Sequence, residues 1–198
     1  ASDPVPRSQR LPSEGTAGGQ FGLAVALHGD RALVSAPRAH QSAFGRGVVY
    51  TYVSGPERPW QREALLAPAE GDGSERFGSA VALHGDVALI GQGLVTIGGT
   101  PTGTADTPSE AYVYTVGGGT AGWERVETLT PADGGNGGFG NAVALADGLA
   151  LVGSPENTLG SPGTAHLFEY RTSADEWARL DRFTAPETPD RHRFGGAV

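Results

Sequence analysis

Two histidines each stand two residues before an aspartate, His28 with Asp30 and His84 with Asp86. An imidazole next to a carboxylate can form a base with its orienting acid, or two ligands of a metal site completed from elsewhere. A third, closely similar stretch ends Ala146-Asp147-Gly148 and lacks the histidine, and equivalent sites on successive repeats are expected to point apart, so the pair reads as structural residues flanking turns. Ser35, His40 and Asp30 make a nucleophile, base and acid on paper. No Gly-x-Ser-x-Gly elbow presents the serine, however, and nothing in the spacing brings the three together. Gly117-Gly-Gly-Thr-Ala-Gly122 matches G-x-G-x-x-G as text. Such a loop holds a pyrophosphate only where it opens a helix, and here Trp123 and a strand pattern follow, so it reads as a turn. Trp60, Trp123 and Trp177 could stack sugars if exposed. Their regular recurrence assigns them to packing instead.

Composition narrows the classes further. The chain has 198 residues, 32 of them glycine, no cysteine, no methionine and no lysine. Thiolate metal sites, disulfide frameworks and cysteine nucleophiles are therefore excluded. A net charge of −8 argues against nucleic acid and anionic membrane surfaces as partners. No apolar run approaches the ~20 residues of a transmembrane helix, so no membrane insertion is expected. The start, Ala1-Ser-Asp-Pro4, does not resemble a signal peptide. Glycine at this density without a collagen period means either disorder or many tight turns.

Internal repetition decides for turns. Phe21-Gly-Leu-Ala-Val-Ala-Leu-His-Gly-Asp30 returns as Phe77-Gly-Ser-Ala-Val-Ala-Leu-His-Gly-Asp86. It returns again as Phe139-Gly-Asn-Ala-Val-Ala-Leu-Ala-Asp-Gly148 and starts once more at Phe194-Gly-Gly-Ala-Val198. Successive copies begin 56, 62 and 55 residues apart. Tyr50 and Tyr52, Tyr112 and Tyr114, and His166 and Phe168 keep phase with them. So do the three tryptophans, followed six residues later by Leu66, Leu129 and Phe183. Leu11-Pro12 precedes Phe21 as Leu129 precedes Phe139. Residues 1–20 are thus expected to hold the last strand of a preceding unit and a linker. Residues 21–76, 77–138 and 139–193 form three complete units, and 194–198 the first strand of a following one.

Within each unit, Ala24–Leu27 and its equivalents alternate small and large apolar residues, which is the period of a strand with both faces covered. A two-residue hairpin follows at Gly29-Asp30, Gly85-Asp86 or Asp147-Gly148. Next come a second strand from Ala32, Ala88 or Ala150 and an aromatic third strand at 48–53, 111–116 or 164–170. A fourth strand runs from each tryptophan. No window carries a helical period with caps. A four-stranded antiparallel meander cannot cover two apolar faces alone, so the units must stack, and radial stacking gives an all-β propeller.

The Phe-Gly openings, with Ser35-Ala-Pro37 and Gly153-Ser-Pro155 closing the second strands, resemble the FG-GAP repeat, and the form is similar to the bacterial one. Gly91-Gln-Gly93 departs from that closing motif. The resemblance implies a β-propeller like that of integrin α subunits, seven-bladed and about 400 residues around. This chain is therefore expected to be a partial ring whose missing blades come from the same or another chain. Integrin-type repeats carry an Asp-x-Asp-x-Asp-Gly calcium loop, which is absent here. One carboxylate in a two-residue turn cannot supply the six to eight oxygens calcium takes, so no metal or other cofactor is expected.

Length variation concentrates in the loops 38–46, 94–108 and 156–162, which share one face with the connectors 69–76, 132–138 and 187–193. Constant strands below a varying rim suit a binding surface. Arg38, His40, Gln41, Glu75, Arg76, Glu156, Asn157, Arg191, His192 and Arg193 are its polar candidates. The expected function is a non-catalytic recognition or adhesion scaffold of a secreted bacterial protein, extracellular or on the cell surface, with a protein or glycan ligand. The alternative is an architectural propeller attached or contributing to a secreted polysaccharide lyase or hydrolase. The apolar innermost strands disfavour catalysis in the chain itself.

Overall fold

Alternation and turn chemistry produce four strands in each of the three complete repeats. The computed structural model describes residues 18–39, 47–55, 58–68, 76–93, 109–117, 122–131, 138–155, 163–185 and 194–198. The first repeat forms β1 (Val25–His28), β2 (Arg31–Ala36), β3 (Val48–Gly55) and β4 (Arg58–Leu66). The second forms β5 (Ala80–His84), β6 (Val87–Gly91), β7 (Ala111–Val116) and β8 (Trp123–Leu129). The third forms β9 (Ala142–Ala146), β10 (Leu149–Ser154), β11 (Thr164–Arg171) and β12 (Glu176–Thr184). Each set makes one four-stranded antiparallel sheet with its strands in chain order. The departure at Gly91-Gln-Gly93 leaves the end of β6 in place. Ser79 Oγ donates to the Gly91 carbonyl (3.0 Å) and accepts from the Gly93 N–H (2.7 Å).

The first hairpins show how residue order selects the turn. Gly29 and Gly85 have φ of +59° and +58°, while the aspartates after them stay at negative φ, the pattern of a type II′ turn. In the third repeat the order is reversed, and Asp147 (+45°) and Gly148 (+78°) are both positive, as type I′ requires. In every sheet the ladder to the fourth strand slips by one residue, between Thr51 and Tyr52, Val113 and Tyr114, and Leu167 and Phe168. The extra residues on the outer strands are Glu63, Val126 and Leu180. A bulge of this kind re-aims the inserted side chain, and all three lie at the same point of their sheets.

The sheets stack as the blades of an open propeller. Their first strands converge, β1 against β5 and β5 against β9, whereas the outer strands β8 and β12 barely touch. The core lies between blades. Leu33, Val49 and Leu66 of the first blade meet Phe77, Ile90, Tyr112 and Trp123 of the second. Leu89, Val113 and Leu129 of the second meet Phe139, Val152 and Phe168 of the third. Each blade thus offers a ring-rich face forward and an aliphatic face backward. The expected cover on both faces of the first strands holds for β5, the first strand with a described sheet on either side. It fails for β1, where Val25 and Leu27 are 67% and 69% exposed, because no described sheet stands in front of them.

Backbone touches backbone at the seams. The Phe-Gly turn holds Gly78 and Gly140 at φ of +87° and +83°. There the Gly140 carbonyl lies so close to Gly91 that a Cβ at residue 91 would overlap it. Gly195 sits on Gly153 in the same way. Phe194-Gly195 accordingly repeats the Phe-Gly turn, with Gly195 at +78°, and among the described residues no ladder pairs residues 194–198. The strand expected around Leu11-Pro12 lies outside the described residues. Gly91→Ala is predicted to destabilise the fold by about 1–3 kcal/mol, the usual range for forcing a methyl into a packed site. A urea midpoint equal to that of the unaltered chain would show that the seam yields.

Candidate functional site

The loop rim holds the candidates singled out by length variation. Arg38 is exposed, one residue after the end of the Ser35-Ala-Pro37 segment, and its backbone N–H donates to the Gly19 carbonyl (3.1 Å). Arg76 is only 7% exposed and sits at φ +78°, with its carbonyl accepting from Ser79 N–H at 3.1 Å. It anchors the entry to the Phe-Gly turn more than it lines an open surface. His40, Gln41, Glu75, Glu156, Asn157, Arg191, His192 and Arg193 lie outside the described residues, as do most of the loops that carry them.

The histidines of the first hairpins behave differently from the expectation that equivalent sites on neighbouring blades diverge. The His28 and His84 rings meet edge to face, with centroids 4.7 Å apart. His84 reaches onward to Asp147 of the third blade, Nε2 to Oδ1 at 3.5 Å. The reason is radial geometry. Side chains at the inner ends of adjacent blades are separated by little more than the distance between packed strands, and they diverge only toward the rim. Among the described residues no three His, Asp or Glu side chains gather closely enough to hold a metal ion. Ser35 is buried, and its hydroxyl accepts from Ala24 N–H (2.9 Å), so it serves the fold. Gly117 and Gly122 close a hairpin through an N–H to carbonyl bond of 2.8 Å, with a strand on either side. The tryptophans pack against the blade interfaces: Trp123 within the first, Trp177 against the second, and Trp60 on the forward face of the first blade.

The crevices between blades, on the face opposite the loops, hold polar chemistry that motif reading missed. In the first crevice the Arg31 guanidinium bridges two carboxylates. Nη1 lies 2.7 Å from Asp86 Oδ1 on the next blade, and Nε 3.5 Å from Glu63 Oε1 at the bulge. Glu63 also accepts from the Trp123 indole N–H at 2.8 Å, which ties the two blades together. In the second crevice the equivalent positions are Val87 for Arg31, Val126 for Glu63 and Gly148 for Asp86. The space opens there into a cavity of about 420 Å³. The signal for this difference was present in the repeat alignment, where three charged residues become three uncharged ones. It had no meaning until the blades were known to bring those positions together.

At the mouth of the cavity Tyr170 packs against Trp177, centroids 5.6 Å apart, and its hydroxyl donates to Asp175. That hydrogen bond, more than burial or the nearby negative charge, holds the Tyr170 phenol above its ordinary value of 10.0. Tyr52, fully buried, is raised chiefly by loss of solvent and further by Tyr50, with Arg62 opposing.

Comparison with known proteins places this architecture. The sequence model of the FG-GAP repeat matches residues 9–52 and 60–114, half of the chain. The chain belongs to the FG-GAP repeat family. Among solved structures, Sqt1 of Saccharomyces cerevisiae, a WD40 propeller, superposes with a TM-score of 0.51 at 10% identity. The match covers 85% of this chain and 36% of that one, so the FG-GAP chain spans little more than a third of the length of Sqt1. The likeness is one of fold. No curated protein matches the chain in sequence. No helix among the described residues is long and apolar enough to cross a membrane.

Glu63→Ala strips acceptors from Arg31 and from the buried Trp123 indole, and is expected to cost about 1–2 kcal/mol in denaturant unfolding. A loss below ~0.3 kcal/mol would mean that water replaces the carboxylate fully. Raised phenol pKa values stabilise the fold below pH 10, and that contribution is lost as pH rises through the folded-state values, because the unfolded phenols deprotonate first. The thermal midpoint is therefore expected to fall from about pH 9 to about pH 11. The fall should be shallower in Tyr170→Phe, as measured by thermal unfolding across that range.

Proposed function

We propose that this FG-GAP chain is a non-catalytic recognition scaffold, of the kind displayed outside the cell or on its surface, that binds a protein or glycan on its variable-loop face. The observation carrying the reading is the contrast between constant blades and unequal loops. The strands keep register from blade to blade, down to the bulge at Glu63, Val126 and Leu180, while 38–46, 94–108 and 156–162 differ in length and composition. Selection for folding alone would leave those loops short. Membership of the FG-GAP family, whose repeats are typically extracellular, supports the location. A propeller-type fold is in keeping with protein–protein interaction generally. The non-catalytic reading rests on the apolar stretches Ala24–Leu27, Ala80–Leu83 and Ala142–Leu145 of the inner strands, which offer no general acid or base, and on reading His28 and His84 as turn-flanking residues; the metal-free reading rests on hairpins too short to wrap calcium. A net charge of −8 turns the surface away from nucleic acid.

The test is a glycan and protein array probed with the parent polypeptide, followed by alanine at Arg38, His40 and Gln41 and, separately, at Arg191, His192 and Arg193. Binding to the ligands found should fall by about tenfold or more in at least one set, with an unchanged thermal midpoint. Full binding in both sets would move recognition away from this face.

A further inference from the structure

We propose that the cavity between the second and third blades is a docking site for an arginine side chain of a partner polypeptide. It lies on the hairpin face, opposite the variable loops, and stands independently of the reading above. The neighbouring crevice supplies the argument, because the same space there is filled by a guanidinium from the chain itself. Arg31 reaches across the seam to Asp86, 2.7 Å away, with Glu63 behind it and Trp123 alongside. One repeat later Val87 replaces the arginine, and Val126 and Gly148 replace its two acids. The vacated space is a cavity of about 420 Å³. With those three positions short and uncharged, the second crevice leaves open the space that Arg31 fills in the first.

What now lines the cavity suits a guanidinium delivered from outside. Val87, Val126 and Leu145 form an apolar wall against which the methylene stem of an arginine packs. Tyr170 and Trp177, tilted at 45° to each other, add two aromatic rings to the lining, a partner for a planar cation. Glu127 and Asp175 also line the cavity and supply carboxylates for its fork of N–H donors. Asp175 is fixed by the hydroxyl of Tyr170, and by its own turn at φ +56°. His84, the remaining titratable group of the lining, is turned to Asp147. Among the described residues the lining holds two carboxylates and no arginine, so its charge is negative. An anionic ligand is repelled. A neutral sugar would find the rings but leave the acids uncompensated.

The experiment follows amide resonances of Thr115, Gly148 and Asp175 in the full 198-residue chain during titration with N-acetyl-Gly-Arg-Gly-amide. Matched lysine and citrulline peptides and methyl glucoside are run alongside. Saturable shifts are expected with the arginine peptide. Binding should be at least about tenfold weaker with citrulline, which keeps the shape and loses the charge, and weaker with lysine, which cannot fork. Raised salt should weaken it further. Glu127→Gln with Asp175→Asn, which retain size and hydrogen-bonding atoms, should reduce affinity about tenfold. Val87→Arg, restoring the residue type of position 31, should fill the cavity and abolish binding. If Val87→Arg misfolds, as circular dichroism would report, the amide variants alone decide. Equal binding of arginine and citrulline peptides, binding of the glucoside alone, no saturation by the arginine peptide, or unaltered affinity in the double amide variant would each overturn the assignment.

Discussion

A four-stranded blade with two apolar faces is not stable by itself, and everything else in this molecule depends on how closely the next blade can approach. The limit is set where carbonyl oxygens of one Phe-Gly turn lie against the glycines of the blade before it, Gly140 on Gly91 and Gly195 on Gly153. Removing Cβ at those points lets backbones meet. Phe77 and Phe139, at 0% exposure, then sink into the interface and exclude water along its length. Glycine abundance, which in isolation reads as looseness, here measures how tightly the seams are drawn.

Close approach at the axis forces divergence at the rim. Where inner strands touch, even small side chains meet across the seam, and His28, His84 and Asp147 form a line through three blades. Further out the same wedge leaves room that must be filled by long side chains or left open. The first crevice is filled by arginine, two acids and a tryptophan N–H. The second is bounded by valines and an aromatic pair, and stays open. Both follow from one geometric fact, with the bulge at Glu63 and Val126 aiming a fourth-strand residue into the wedge each time.

Much of this was legible beforehand, for identifiable reasons. Phe-Gly, Gly-Asp or Asp-Gly, and the recurring tryptophan are local signals whose conformational preferences act over two to ten residues, so strand limits and turns could be read directly. The exposure of Val25 and Leu27 could not, since their sequence is nearly that of Val81 and Leu83, which are covered. Identical local sequence meets different surroundings there. Arg76 is another case. A cation in a connector reads as solvated, yet its place at the mouth of the Phe-Gly turn draws it inward.

Sequence alone determined the class of fold, the number of complete blades, the turn chemistry and the absence of a calcium loop, because each depends on residues close together in the chain. Only tertiary structure decided which distant residues became neighbours. Positions 31, 63 and 86 are spread over two repeats, and no spacing rule links them. Their union, and the cavity left where the next repeat lacks it, arise from stacking alone. The physical reason is that strand and turn preferences are encoded within a repeat, whereas the chemistry of a crevice belongs to two repeats at once.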